Sequence, residues 1–421
     1  MEAALRRTFN SFAVHNFRLY FIGQGISLCG TWMQTIALSW LVLELTHSGT
    51  QLGLVTAAQF LPILLFGVWG GVIADRFNKR KILYFTQSIF GILALVIGLL
   101  IVSHRIELWM VYVIAACMGL NTVLDNPSRQ TFVVEMVGPD KLRNAISLNS
   151  TIVNLARIIG PSFAAIIIAT VGVGDCFLFN AVSYVAVLTA LAMMRKDELY
   201  PQKRADEEHK GVADGLKYVW GEPKLRSTLL MMLIIGTFAY EFPVVLPLFA
   251  TQTFHGNATT YALMTAAMGL GAVVGGLYSA GKAAAELRRV ILVAVLFGIS
   301  IIVTAFAPDL IVGLLLLVVV GALSVLFISL GNTTLQLTSE PQMRGRVMSL
   351  WFIAFQGTTP IGGPIIGAIA DRSDPRVGLI VGGISAVIAA GLGMFTAGYK
   401  LPRRRPPKAI PELLGNDDLP K

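Results

Sequence analysis

Long apolar stretches separated by short polar ones run the length of this chain. A bilayer core is crossed by about 20 apolar helical residues. Twelve stretches reach that length, at 17–45, 51–74, 82–102, 108–125, 146–170, 177–194, 227–250, 258–280, 288–306, 309–330, 346–370 and 378–399. The pattern predicts an all-α membrane protein with twelve transmembrane helices joined mostly by very short loops. One long polar connection, 195–226, divides it into six-helix halves at 1–194 and 227–400, followed by a polar tail at 401–421. The first part of the connection, RKDELYPQKRADEEHK, is too charged to bury and reads as solvated. Its second part sets Val212, Leu216, Val219 and Trp220 at helical spacing beside Lys217, which predicts a short amphipathic helix on the inner membrane surface.

Composition supports the membrane reading. The 421 residues are 55% hydrophobic and 14% charged, against about 25% charged in soluble domains. The formal net charge of +9 invites a nucleic-acid partner, but its distribution removes the need for one. With both termini in the cytoplasm, all of the 33 Lys and Arg except Arg105, Arg157, Arg372 and Arg376 fall on the inner side. That is the positive-inside bias of a membrane protein. The N-terminus, with Arg6, Arg7 and His15, reads as a cytoplasmic leader into a retained helix. Cys29, Cys117 and Cys176 are isolated in apolar surroundings and suggest neither a metal site nor a disulfide framework. No phosphate-binding Gly-Lys-Ser/Thr loop, metal-ligand cluster or nucleophile–base pair stands out, so an enzyme is the least expected class and no cofactor is implied.

The halves are related at an offset of 202 residues: Pro139 meets Pro341, AISL (145–148) meets VMSL (347–350), and Gly160 meets Gly362. Parallel repeats about an axis along the membrane normal are a transporter architecture, with the substrate site between the halves near mid-membrane.

Between the second and third helices lies GGVIADRFNKRK, in which Gly71, Asp75, Arg76, Lys79 and Arg80 fit the pattern G-x-x-x-D-R-x-G-[RK]-[RK]. On this motif and the twelve spans, the chain resembles the major facilitator superfamily. A small residue permits close helix approach, and the charges at a helix end can form a latch that makes and breaks as a cavity closes. The basic residues could equally be a plain positive-inside anchor, a role that leaves Asp75 unexplained. Asn78 replaces the second glycine and is expected to take up a left-handed turn. Asp125 and Arg129 are expected to join this cytoplasmic charge network. NFRLYFIGQ (16–24), GTWMQTIALSWLVLELT (30–46), DNPSRQTFVVEMV (125–137), LRNAISLNS (142–150) and NLARIIGP (154–161) are similar to the bacterial exporter branch that includes enterobactin and macrolide efflux proteins. That resemblance implies export of an amphiphilic drug or siderophore-like molecule from the inner membrane, usually in exchange for protons.

On the fifth helix Ser147, Ser150, Asn154, Arg157 and Pro161 follow spacings of three and four and form one polar stripe. Arg157 lies about 16 Å from the start of that helix, where a charge costs about 2.5–3.5 kcal/mol or more. It should face a water-filled cavity or a counter-charge; substrate contact, gating and a static ion pair all remain open. Ser349, Gln356, Thr359 and Gly363 repeat the stripe on the eleventh helix. Gly160-Pro161 resembles the superfamily's antiporter motif and offers a helix bend. Ala164 and Ala165 stand where small glycines would follow. Glu241, beside Pro243 and Pro247, is the acid placed well inside a span, either as a proton-coupling group or as a structural or gate residue. Gly271-x-x-x-Gly275 and Gly363-x-x-x-Gly367 read as close-packing surfaces able to slide. Trp32, Trp40, Phe60, Tyr240, Phe242 and Trp351 could line an aromatic cavity, though core or lipid contact fits each of them better.

The reading is therefore a monomeric secondary transporter whose partners are a small-molecule cargo, protons and lipid, with no nucleic acid. A dedicated lipid or metabolite transporter of the same fold is the nearer alternative. A non-transporting sensor or scaffold is the more distant one, since it could lose both the latch and the intramembrane charges.

Overall fold

The computed structural model describes residues 10–200, 212–280, 286–340 and 342–397. The tail at 401–421, most of the charged connection and the side chain of Asp75 lie outside the described residues. Twelve helices are long and apolar enough to span a membrane. In the first half these are α1 (His15–Thr46), α2 (Gly49–Arg76), α3 (Lys79–Val102), α4 (Leu108–Gly138), α5 (Asp140–Thr170) and α6 (Val173–Met193). In the second, α7 is broken into α7a (Pro223–Phe238) and α7b (Phe242–Leu248). It is followed by α8 (Ala258–Ala280), α9 (Leu287–Ala305) and α10 (Leu310–Thr338). A second broken helix, α11a (Arg344–Gln356) and α11b (Thr359–Arg372), precedes α12 (Pro375–Thr396).

Short polar residues start the helices between tight loops. Ser48 accepts from the Gln51 N–H, Asn78 from Lys81, Asp309 from Val312 and Asp374 from Arg376, each satisfying a donor that the first helical turn leaves orphaned. Asn78 has φ −66°, so its task is to cap α3, not to adopt the left-handed turn expected of it. Large apolar side chains stand exposed along the spans, among them Leu277 at 73%, Val182 at 68% and Leu315 at 65%. Helices apolar on their outer faces as well as their inner ones suit a lipid solvent.

The connection expected between the fourth and fifth helices is itself helical. Only Gly138, with φ 69°, interrupts the run from Leu108 to Thr170. The extension is held by burial: Phe132, Val133, Met136 and Val137 pack with Phe17, Tyr20 and Leu83 in a separate apolar cluster. α10 likewise runs eight residues past the expected 330, carrying the fully buried Leu335. The amphipathic helix forms at Val212–Gly221; Val219 is buried, Leu216 and Trp220 are exposed, and the Tyr218 hydroxyl accepts from the Glu340 N–H at 3.0 Å.

Helix pairing repeats with a step of six. In the first half α1 packs on α5 and α6, α2 on α4, and α3 on α4 and α6; in the second α7 packs on α11 and α12, α8 on α10, and α9 on α10 and α12. The two bundles meet through α2 against α11 and α5 against α8, a pair of seams exchanged by the same step. The result is two pseudo-symmetric six-helix bundles.

Candidate functional site

The polar stripe of α5 lies beside the α5–α8 seam. Arg157 stands 17 residues into a 31-residue helix, close to its middle. Its guanidinium lies over the Trp32 ring, 5.3 Å from the centroid, and its buried Nε has no hydrogen-bond partner. Among the described residues no carboxylate pairs with it. The indole face supplies part of what a counter-ion would supply, and an ion pair holding helices together is not the arrangement seen. Close approach of α8 is allowed by Gly269, whose face abuts the Arg157 carbonyl, and by Gly276, where an added Cβ would lie 3.9 Å from the Asn154 amide nitrogen. Asn154 meanwhile donates to the Ser150 carbonyl one turn back at 2.9 Å. Along the stripe exposure falls steadily: Ser147 and Ser150 are exposed, Asn154 and Arg157 half-buried and Pro161 buried.

Glu241 sits at the break between α7a and α7b. Its backbone carbonyl accepts from the Val244 and Val245 N–H groups, starting α7b, and Pro243 occupies the first turn, where no N–H is needed. Its side chain is 2% exposed and lies beside Thr359, the first residue of α11b; Oε1 has no hydrogen-bond partner. Gly362 and Gly363 make room for the carboxyl: an added Cβ would lie 2.9 Å from Oε1 at Gly362 and 3.4 Å from Oε2 at Gly363. On the other side of Gly363 lies Gly53 of α2, whose carbonyl oxygen is 3.1 Å from the same position. The acid is thus one glycine away from the α2–α11 seam. A cavity of about 10 Å³ beside it, lined by Phe238, Ile301, Gly378 and Gly382, is near the lower limit for a single water.

Arg157 and Thr359 occupy equivalent positions at the 202-residue offset, as do Asn154 and Gln356, which closes α11a just before the break. The geometry is therefore a repeat with altered chemistry. α5 turns an arginine onto an aromatic ring of α1; α11 turns a threonine onto a carboxylate of α7. Gly160 and Gly362 correspond too, each letting its helix close on α1 or α7: added Cβ atoms would strike the Trp32 Cβ and Cys29 carbonyl, or the Thr237 carbonyl. α5 remains helical through Gly160-Pro161, without a break in its backbone, and Gly160 serves as a contact point. The breaks fall instead in α7 and α11.

At the far end of α2 the motif residues make bonds inside the first bundle. Lys79 pairs with Glu135 at 2.6 Å. Arg80, 9% exposed, donates from Nε to the Leu191 carbonyl at 2.9 Å and also reaches Ala192, capping the C-terminus of α6. Arg76 is exposed. Asp125 and Arg129 form a separate cluster deeper in the bundle. Asp125 is 2% exposed and lies 13 residues before the end of α4, not at its end as expected. It accepts from Thr86 and Gln87 at 2.7 Å each and from Arg129.

The two glycine pairs do different work. Gly271 and Gly275 press α8 onto Val318 and Ala322 of α10 within one bundle, whereas Gly363 and Gly367 face Gly53 and Gly49 across the seam. The matching G-x-x-x-G on α2 escaped the sequence reading, as did the α11 break and the place of Asp371. That carboxylate accepts from Ser48, Gly49 and Thr50 at the start of α2. At the opposite end of the seam, an added Cβ on Gly71 or Gly345 would meet nothing within 4 Å among the described residues. Gly363 and Gly367 thus bring the two backbones together toward the Asp371 end, a close approach that Gly71 and Gly345 do not repeat among the described residues.

Residues 6–410 match the family model described as Transmembrane secretion effector. The staphyloferrin A transporter of Staphylococcus aureus is 24% identical over 84% of this chain and 89% of its own. The multidrug efflux pump Tap of Mycolicibacterium fortuitum is 25% identical over 82% and 86%, and the enterobactin exporter EntS of Citrobacter koseri 26% identical over 94% and 95%. Among solved structures, a bacterial homologue of the human lysosomal transporter Spinster, inward-facing and unoccupied, superposes with a TM-score of 0.71 at 15% identity, covering 91% of this chain and 96% of that one. The nucleoside transporter NupG gives 0.71 at 12% identity, covering 91% and 100%.

Proposed function

Because the chain belongs to the Transmembrane secretion effector family of the major facilitator superfamily, we propose that it exports an amphiphilic small molecule by alternating access, in exchange for protons. It is a transporter and not an enzyme, a multi-pass protein of the bacterial inner membrane. The observation that carries the proposal is Arg157. A guanidinium near the middle of a span, without a counter-ion among the described residues, at a seam between two bundles, suits a water-filled path and a passing ligand. It does not suit a sealed core.

The excess of Lys and Arg at the Gly71 end supports that end as the cytoplasmic one. The units 1–194 and 227–400 rock against each other, with 195–226 as a strap between them. Cargo enters past Ser147 and Ser150, lays its apolar surface on Trp32 and turns an anionic or carbonyl oxygen toward Arg157. Asn154 and Gln356 line the same level from the two bundles. Glu241 carries the proton, and its packing against Gly362 and Gly363 ties proton occupancy to the joint between α11a and α11b. Its neighbour Gly363 lies on the α2–α11 seam, so a change in that carboxyl's hydration or charge is felt where the bundles must part. Gly71, Asp75, Arg76, Lys79 and Arg80 form the latch that closes the cytoplasmic end when the other end opens.

The relatives' names span siderophore and drug transport, and a panel of carboxylate siderophores, macrolides and cationic dyes covers that range. In proteoliposomes with an imposed pH gradient, at least one oxygen-rich amphiphile moves, and its movement collapses with the gradient. Inactivity across the whole panel would favour a sensor or scaffold.

A further inference from the structure

The α2–α11 seam is tied at one end by a single side chain. α2 begins at Gly49, where backbone N–H groups have no acceptor within the helix. They are met from the other bundle: Asp371, next to the last residue of α11b, accepts from the Gly49 N–H at 2.5 Å and the Thr50 N–H at 2.8 Å. It also accepts from the Ser48 and Thr50 hydroxyls at 2.7 Å each. Beneath it, Gly49 lies against Gly367 and Gly53 against Gly363, so the two backbones touch with no side chain between them.

We propose that Asp371 is the releasable clamp of the gate at this end: the carboxylate holds the first turn of α2 while the gate is shut and lets it go for the bundles to part. Three features distinguish a clamp from a fixed strut. Every donor lies in the opposite bundle, so any opening of the seam breaks all four bonds together. Asp371 is exposed, so on release its charge returns to water and no buried charge is stranded. Its partners are backbone amides and hydroxyls at the positive end of a helix dipole, so release leaves no unpaired cation behind either.

The sequence repeats the device at the other end of the same helix pair. α2 ends in GVIADR (71–76) and α11b in GAIADR (367–372). The two helices are antiparallel, so the copies sit at opposite ends of one seam. Here the second copy is engaged, while a Cβ on Gly71 of the first or on Gly345, in the opening turn of α11a, would meet nothing within 4 Å among the described residues. By this equivalence Asp371 does at its own end what the Asp75 motif does at the cytoplasmic end, and the two hexapeptides engage in alternation. The inference rests on the alternating cycle proposed above.

The test measures the distance distribution between spin labels at His104 and Pro308, one per bundle at the Asp371 end, with Cys29, Cys117 and Cys176 replaced, in lipid nanodiscs without cargo. Asp371→Ala should raise the ratio of long to short separations about tenfold, the scale of losing a charged helix cap. Asp371→Asn, which keeps an acceptor without the charge, should give a smaller rise. Ser48→Ala with Thr50→Ala removes two donors from the partner side and should shift the ratio in the same direction even if Asp371→Ala folds poorly. Gly53→Leu wedges the seam and serves as the control. If the wedge opens this end while the Asp371 and Ser48/Thr50 variants leave the distribution unchanged, the clamp is overturned. If the wedge also changes nothing, the alternating cycle fails and takes the clamp with it.

Discussion

The Glu241 carboxyl lies against Gly363, with Oε2 3.4 Å from where a Cβ would stand, at the point where two broken helices, α7 and α11, meet. Each break exposes backbone groups that a continuous helix would satisfy internally, and glycines at 362 and 363 bring the carboxyl against the α11 backbone. A carboxyl enclosed in this way can exchange its proton only when the joint moves. Glu241→Gln keeps the shape but cannot release a proton. The expected result is a loss of at least tenfold in pH-gradient-driven transport, with cargo counterflow retained within about twofold; tenfold corresponds to about 1.4 kcal/mol at the rate-limiting step. Transport that still follows the pH gradient in Glu241→Gln would remove this residue from coupling.

Arg157 combines charge, planarity and a ring contact with Trp32 at 5.3 Å. Arg157→Gln removes the charge and the cation–π contact, and Arg157→Lys keeps the charge without the planar, bidentate fork. If the cargo's oxygen meets the guanidinium, half-saturation for an anionic cargo should rise about tenfold in Arg157→Gln and less in Arg157→Lys, on the scale of a charge-assisted hydrogen bond. The ordering should vanish for a neutral cargo of the same shape. Concentration-dependent uptake into inverted vesicles measures both, and equal losses for the two cargoes would assign Arg157 a structural role.

Much of this molecule could be read from its sequence because its solvent is lipid. Apolar runs of fixed length, the basic bias and the 202-residue offset carry the twelve spans, the two bundles and the equivalence of Arg157 with Thr359. Less legible was whatever depends on two helices meeting. Phe132, Val133, Met136 and Val137 make a helix of an apparent loop only because Phe17 and Tyr20 lie opposite. Asn78 looked like a turn residue and proved to be a cap. The α11 break is announced by Gly357 and Pro360, yet a Gly-Pro pair at 160–161 carries a similar local signal and produces no break. Nothing local marks Asp371, because its partners lie more than 320 residues away.

Asp125 and Arg129 are a buried pair within one bundle, with Thr86 and Gln87 completing the acid's hydrogen bonds. Asp125→Ala would leave the Arg129 cation, its side chain 26% exposed, without its counter-ion. The expected cost is about 3 kcal/mol, read as a lower unfolding midpoint in mixed micelles. Arg129→Gln with Asp125→Asn should recover most of it, since a neutral pair strands no charge. A midpoint that falls further in the double variant would mean that the charges stabilise the bundle outright.

Two glycine contacts of similar tightness should fail in different ways. Gly271 touches the Val318 backbone inside the second bundle, and Gly367 touches the Gly49 backbone across the seam. An added methyl at either site collides with backbone, which cannot rotate aside. At Gly271 the strain has no outlet, because α8 and α10 belong to one unit. Gly271→Ala should therefore lower stability by about 1–3 kcal/mol, the range for overpacking, and leave the distribution of gate distances unchanged. At Gly367 the strain disappears when the bundles part. Gly367→Ala should move the His104–Pro308 distribution toward long separations while the unfolding midpoint shifts by less than about half as much as in Gly271→Ala. Equal losses of stability with no change in distance for either variant would show that the seam is fixed, and that the bundles do not part along α2 and α11.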